Sequence, residues 1–508
     1  MMRNLTIIVE QQKHPPTEGE IARLLALAPV AAVFTVGAPP VPPLPSWQSP
    51  AGRHRHWEGS IHSGATLRAI LENVKTPLAL LLTAGVAWRP LPNGLERMLA
   101  IAEETKAPLL YADYHLLQGR AGRTAIRLNT YQLGSVREDF DFGPALLLGI
   151  PPVRRLSLGD AFGRLRYGAL YALRLRLALK QPLLHLREFL YETTSADADF
   201  DIFAYQDAAN VAAQGEYEHV FSEYLRQSGA FIEADGLQGA SAFPLTASQR
   251  FPVEMSVVIP VKDRLATIAV AIHSAAAQET TFPFNIIVVD NHSQDGSSDI
   301  IANLARSLPH LCHIVPKSDF LSIGGCWNEA LFSPACGRYA VQLDSDDIYA
   351  DNTVLQRIYE KFQEGDYAAV IGSYTIVDKD GRVLAPGLIS HREWTDANGH
   401  NNALRINGLG APRAFHTVLA RCFGFPNVGY GEDYAMCLRF CREYRIGRIF
   451  ENLYLCRRWE GNTDSGIGRE RKGENDAYKD HLRTLEIMAR QSRNAQLTKA
   501  AYLLKARG

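Results

Sequence analysis

The chain has 508 residues, long enough for two or three domains with separate cores, and its 46% apolar and 21% charged content is that of an ordinary globular protein. A formal net charge of −1 excludes a global field that would draw the whole molecule to nucleic acid, so nucleic acid is not an expected partner. An odd count of seven cysteines, all after residue 311, with no secretory pattern in MMRNLTIIVEQQ, points to reduced thiols and a cytoplasmic setting.

No apolar run approaches the roughly 20 residues that cross a bilayer. The longest, Pro77–Val86, leaves only peripheral contact at the inner membrane face open. In chain order, Thr6–Val9 reads as a short strand opening an α/β region that runs to about residue 234. Residues 235–254 (DGLQGASAFPLTASQRFPVE), rich in small and breaker residues, read as a linker. A strand at Ser256–Ile259, a helical stretch around Ala266–Ala277 and a strand at Ile286–Val289 ending on Asp290 follow. Strand and helix signals then alternate through Ala302–Ser307, His313–Val315, Trp327–Leu331 and Tyr339–Leu343, which argues for a mostly parallel, Rossmann-like sheet flanked by helices. In that architecture ligands sit at the carboxyl ends of the strands, where Asp290 and Asp344 fall. Residues 467–508 read as a helical tail packed on the body. Cys437 and Cys441 share a helix face but lack a CxxC or paired histidines, so they read as packing thiols.

Sliding the chain along itself exposes a repeat. A shift of 263 lays Tyr167-Gly-Ala-Leu-Tyr-Ala-Leu-Arg on Tyr430-Gly-Glu-Asp-Tyr-Ala-Met-Cys, and Glu188, Leu190 and Tyr191 on Glu451, Leu453 and Tyr454. A shift of 260 matches Gly64 with Gly324, Leu71 with Leu331 and Tyr114 with Tyr374, and one near 250 sets Thr6–Val9 on Ser256–Ile259. The expected organisation is a first copy over 1–234, the linker, a second copy over 255–466 and the tail.

The chemical signal is sharpest at Leu343-Asp-Ser-Asp-Asp-Ile, where three carboxylates in four positions repel one another without a counter-charge. A divalent cation with oxygen ligands, Mg²⁺ or Mn²⁺, would supply it, the other reading being a solvated acidic turn. Glu432-Asp433 at a helix start is by itself favourable N-terminal charge, and beside the tetrad it becomes a candidate acid–base pair.

Several ordered motifs over roughly residues 255–465 resemble family-2 glycosyltransferases of the GT-A fold. They are Val257–Arg264 (VVIPVKDR), Ile286–Asp299 (IIVVDNHSQDGSSD), Gly324–Leu331 (GGCWNEAL), the DXD-like Leu343–Asp347 and the ED-like Gly429–Arg439 (GYGEDYAMCLR). The resemblance implies a nucleotide-sugar donor and tandem GT-A domains. It implies Asp346 as the direct metal ligand with Asp344 and Asp347 beside it, and Asp344 also toward the ribose. Pro260, Asp290 and Asn328 would lie along the nucleotide, with Asp290 at the base. Asp433 would be the general base of an inverting transfer, with Glu432 a supporting ligand or acceptor contact. There are departures: Asn291 follows Asp290 where the family often has a second aspartate, and Trp327 precedes Asn328 where an arginine is common. Near Trp459, where many members carry a metal-side histidine, Arg457 and Arg458 offer guanidinium groups for the diphosphate. Leu455 stands where processive synthases carry glutamine, so no processive polymerase is expected.

The stretch His391–Asn402, with Arg413 and His416, occupies the acceptor part of such domains; Trp394 could stack on a sugar, and His391, Arg392 and Asn401 could donate hydrogen bonds, or the stretch is a polar surface loop. The acceptor could be a glycan, a peptide or a small molecule. The shift of 260 lays Ala84-Gly-Val-Ala on the acidic tetrad and that of 263 lays Ala169-Leu170 on Glu432-Asp433, so the first copy reads as degenerate, retained for shape, acceptor docking or a homodimer contact. The rival readings are a sugar-nucleotide nucleotidyltransferase and a non-catalytic glycan-binding scaffold.

Overall fold

A computed structural model describes residues 3–11, 16–38, 52–83, 85–118, 122–194, 210–243, 250–458 and 468–505. The chain divides between Gly229 and Ala230 into two compact units.

The strands of the first unit are β1 (Leu5–Glu10), β2 (Val30–Gly37), β3 (His54–Glu58), β4 (Leu78–Leu82), β5 (Arg89–Pro90), β6 (Leu109–Leu117), β7 (Arg123–Ile126), β8 (Ala145–Gly149) and β9 (Leu184–Thr193). Those of the second are β10 (Met255–Val261), β11 (Phe284–Asp290), β12 (Leu311–Ile314), β13 (Tyr339–Gln342), β14 (Ile348–Tyr349), β15 (Ala369–Asp378), β16 (Val383–Ile389), β17 (Arg413–His416) and β18 (Ile446–Arg458). The first sheet runs β3-β2-β1-β4-β8-β6-β9-β5 with β7 on β6; the second runs β12-β11-β10-β13-β17-β15-β18-β14 with β16 on β15. Adding nine to each first-unit strand number converts one order into the other, and every pairing has the same sense. Both sheets also break register at one equivalent place, Asp113 in the first and Ser373 in the second, flanking the pairs Tyr114–Tyr191 and Tyr374–Tyr454. The tandem α/β architecture is therefore present strand for strand. The parallel part covers the first four strands of each order, and the sheet continues through antiparallel β8 or β17.

The central parallel strands β1, β4, β10 and β13 are largely apolar and buried because both faces are covered. In β10 every residue is buried, and Val257, Ile259, Ile286, Val288 and Val341 anchor a common core. Pro260 is tolerated inside β10 because the ladder to β13 ends at Val258, so its missing N–H falls beyond that partner. Two glycines report the duplication at atomic level. A Cβ on Gly64 would stand 1.7 Å from the Phe162 carbonyl oxygen, and one on Gly324 would stand 1.8 Å from that of Pro426. The same helix start presses on the same loop in each unit.

Residues 234–243 do not form a free connector: the Gln238 N–H donates to the Glu443 carbonyl, the Gln238 carbonyl accepts the Arg445 N–H, and Ser241 binds Asp366. The tail is a 37-residue helix, Arg469–Lys505. Its fully buried Arg483 bonds Asp480, Tyr434 and Asn407, and Arg490 bonds Glu486, Asn401 and the His400 carbonyl. All seven cysteines are free thiols, with Cys437 and Cys441 buried. Among the described residues no helix is long and apolar enough to cross a membrane.

Candidate active site

The carboxyl ends of β10, β11 and β13 open onto one crevice edge. Past β10 and β11 the loops fasten each other: Asp263 N–H donates to Ser293 Oγ (2.9 Å), Gln294 N–H to Asp263 Oδ1 (2.7 Å) and Arg264 N–H to Ser297 Oγ (2.9 Å). Asp290 lies beneath them, fully buried. Burial pushes its carboxyl upward, but hydrogen bonds from His313, Ser298 and Ser293 outweigh that and hold it well below the usual carboxylate range. Its oxygens are engaged by the loop it supports, so here it is a fastener of that loop.

Past β13 the acidic tetrad turns tightly, with Asp347 N–H donating to the Asp344 carbonyl (3.1 Å). Gln342 Nε2 donates to both Asp344 oxygens (3.0 and 3.1 Å), and the Asp344 N–H donates to Tyr454 Oη (2.9 Å). Burial, and secondarily the Asp346 charge, push the Asp344 carboxyl up to about 6. Asp346 is the more open of the two, 3.8 Å from Arg264 Nε. Asp347 differs: its Oδ1 accepts the Arg457 N–H (2.7 Å), and burial with the charges of Asp344 and Asp346 raises it well above the normal range. Among the described residues no three His, Cys, Asp or Glu side chains gather at metal-ligand spacing, so the expected three-carboxylate set is not assembled, and Asp347 serves the backbone of β18. A hard ion needs no such cage, because Mg²⁺-type sites use one or two carboxylates and take the rest from substrate phosphate and water. Asp344 and Asp346 fit that requirement.

The second acidic pair begins the helix Glu432–Glu443, capped by Gly431 at φ +80°, a conformation suited to glycine. Asp433 Oδ2 lies 2.7 Å from Arg413 Nη1. The same Arg413 nitrogen donates to Gln342 Oε1 at 2.9 Å, and Gln342 in turn holds Asp344. One unbroken line thus joins the ED helix to the acidic turn. Arg413 is held charged more firmly than usual: burial opposes its charge, but Asp433, then Cys437 and Asp344, overcome it. Burial and the neighbouring Asp433 push Glu432 up to about 8, so it is a neutral acid at pH 7.

Other sequence-based assignments change. Asn328 donates Nδ2 to the Phe425 carbonyl and accepts the Phe425 N–H, both at 2.9 Å, which uses its amide on the fold. Its counterpart Arg68 in the first unit also spends its side chain on backbone, donating to the carbonyls of Leu158 and Gly159. Trp394 is buried, with its ring against Gly399 and near the Arg448 guanidinium (5.7 Å), so it is a wall and not a stacking platform. Asn401 is fully buried and bound to Ile232 and Arg490. His391 is buried against Glu393 (2.7 Å), Arg392 is exposed, and His416 is buried beside Tyr339. Arg457 reaches the Asp346 carbonyl with Nε (2.6 Å), and Arg458 ends β18 opposite Asp378. Trp459 lies outside the described residues. Arg413, grouped by sequence with the acceptor stretch, is the residue whose importance only the fold reveals.

In the first unit the carboxylates are missing at every counterpart. The sheet pairs Ile8 with Leu81 as it pairs Val258 with Gln342, so the register here is 261 and Thr83, not Ala84, stands opposite Asp344; Ala84 lies outside the described residues. The helix Ala169–Ala178 starts after Gly168, so Ala169 and Leu170 do correspond to Glu432 and Asp433.

A crevice edged by carboxylates at the strand ends of such a sheet defines a GT-A-like α/β domain. Residues 256–423 match the family model for glycosyl transferase family 2. An uncharacterized glycosyltransferase of Nostoc sp. is 31% identical over 132 residues, 26% of this chain and 40% of that protein. The UDP-Glc:α-D-GlcNAc-diphosphoundecaprenol β-1,3-glucosyltransferase WfgD of Escherichia coli is 25% identical over 199 residues, 38% of this chain and 72% of that protein. Among solved structures, S. aureus TarS in complex with UDP is 20% identical with a TM-score of 0.36, covering 46% of this chain and 65% of that one.

Proposed function

We propose that the second unit transfers a glycosyl group from a UDP- or GDP-sugar to an acceptor hydroxyl, with inversion and with a divalent cation. The observation that carries this is the line Asp433–Arg413–Gln342–Asp344, which sets one carboxylate apart from the acidic turn yet in fixed relation to it. In this reading Asp433 takes the acceptor hydroxyl proton as that oxygen bonds to the anomeric carbon, and the bond from that carbon to the diphosphate oxygen breaks with its electron pair. An ion at Asp346 and Asp344, Mn²⁺ or Mg²⁺, would supply positive charge for the departing diphosphate. Arg264, Arg457 and Arg458 add guanidinium groups on the same edge. Asp290 shapes the nucleotide pocket from beneath by holding the 291–297 loop. Glu432, neutral at pH 7, can donate a hydrogen bond to the acceptor without adding charge beside the base. The E. coli relative is named for a lipid-linked acceptor; here a sugar hydroxyl on a glycan is the acceptor class favoured, and the first unit serves as a non-catalytic partner domain.

The test is a panel of UDP- and GDP-sugars with Mn²⁺ or Mg²⁺, reading thermal stabilisation and nucleoside diphosphate release. Stabilisation by one donor, with metal-dependent release lost in Asp346→Ala, is expected. Release of pyrophosphate would make the protein a nucleotidyltransferase, and silence toward every donor would leave a scaffold.

A further inference from the structure

The duplicated sheet provides an internal control for the line of polar groups behind the acidic turn. In the first unit β4 pairs Leu81 with Leu146, and β6 pairs Leu110 with Leu147. In the second, β13 pairs Val341 with Ala414, and β15 pairs Val370 with Ala414 and Ile371 with Arg413. Two independent pairings therefore give the same correspondence: Leu81 stands where Gln342 is, and Leu146 where Arg413 is. The helix caps Gly168 and Gly431 add a third, Leu170 where Asp433 is. Three polar residues that bond in sequence in one unit are three leucines in the other, and Leu81 and Leu146 are buried. The fold therefore does not need the polar version. A guanidinium and carboxylate partly withdrawn from water cost desolvation, and leucines of similar volume commonly pack as well.

We infer that Gln342 and Arg413 are positioning residues that act as one unit with Asp433, kept in the second copy for the reaction and dispensable for folding. The inference rests on the glycosyltransferase reading of that unit. Arg413 points a donor of fixed, planar geometry at Asp433 Oδ2 and at Gln342 Oε1 from a single nitrogen. It thereby sets the base carboxylate against the residue that orients Asp344. Neither side chain need touch substrate. If the carboxylate swings free, the proton acceptor is misplaced by an ångström or more, and such errors cost about 100-fold in rate.

Three variants test this in the full chain, with the donor found by the panel. Arg413→Leu should lower kcat about 100-fold or more while donor KM stays within about threefold, and Arg413→Lys should recover part of kcat, which a packing role would not predict. The triple variant Gln342→Leu/Arg413→Leu/Asp433→Leu, which carries the first unit's set, should be inactive yet fold with a Tm within a few degrees of the parent. Arg413→Leu turning over at the parental rate would overturn the inference and leave the glycosyltransferase reading intact. An unfolded triple variant would also overturn it, by showing that the line is structural. A parent inactive on every donor would remove that reading and this inference together.

Discussion

Replacing Asp433 by asparagine removes one charge and one proton acceptor while preserving shape. The helix start survives, because the Tyr434 N–H that now donates to Asp433 Oδ1 at 2.6 Å can be accepted by the amide oxygen. The ion pair with Arg413 at 2.7 Å becomes a neutral contact, but the Asp433 side chain is 28% exposed, so solvent screens the pair. The stability loss should be about 1 kcal/mol, or about 2–4 °C in the Tm of a unit this size. Loss of a general base costs 10²–10⁴-fold, about 3–5 kcal/mol in the barrier. Activity should therefore collapse where stability barely moves. The assay pairs nucleoside diphosphate release at saturating donor and acceptor with donor affinity from thermal shift. Parental turnover in Asp433→Asn would refute the base assignment. A fall in donor affinity that matches the fall in transfer would move Asp433 to the donor site.

The carboxyl of Glu432 is raised to about 8, from 4.5 in the unfolded chain, so between those pH values the folded state holds a proton that the unfolded state has released; stability should fall as pH rises from about 5 to 8, and urea midpoints for Glu432→Gln should lack that slope. Asp344 at about 6 must lose its proton to bind a cation, so Mn²⁺ affinity should climb about tenfold per pH unit below 6 and flatten above; a pH-independent titration would rule out Asp344 as a ligand. Arg490→Met should destabilise the second unit by about 3 kcal/mol in chemical denaturation, because it leaves buried Glu486 facing the more distant Arg442, 3.7 Å away, and strips Asn401 and His400 of a donor.

Features that are local in sequence are legible from it. The acidic turn and the ED helix start are contiguous runs, and each stands at the strand end or helix start that its neighbours imply. The duplication was legible too, because glycines and tyrosines at fixed spacing survive where sterics demand them, as at Gly64 and Gly324. Non-local relations were hidden. Arg413 carries no local signal; it matters because β17 inserts antiparallel between β13 and β15, a placement that hydrophobic pattern alone does not disclose. Asn328, Trp394 and Asn401 show the converse. An amide or indole in a loop looks like a ligand group until the backbone that consumes it is known, here Phe425, the Gly399 turn and Ile232.

Two sheets of one strand order in a single polypeptide invite exchange of equivalent strands during synthesis, a characteristic error of repeat proteins. The leucine-for-polar differences fall on strands that such an exchange would move. β17 threaded into the first sheet would seat a guanidinium opposite Leu81 with no acceptor, and β8 threaded into the second would strand the Gln342 amide against Leu146. Each polar side chain of the line thus has its partners in its own sheet alone.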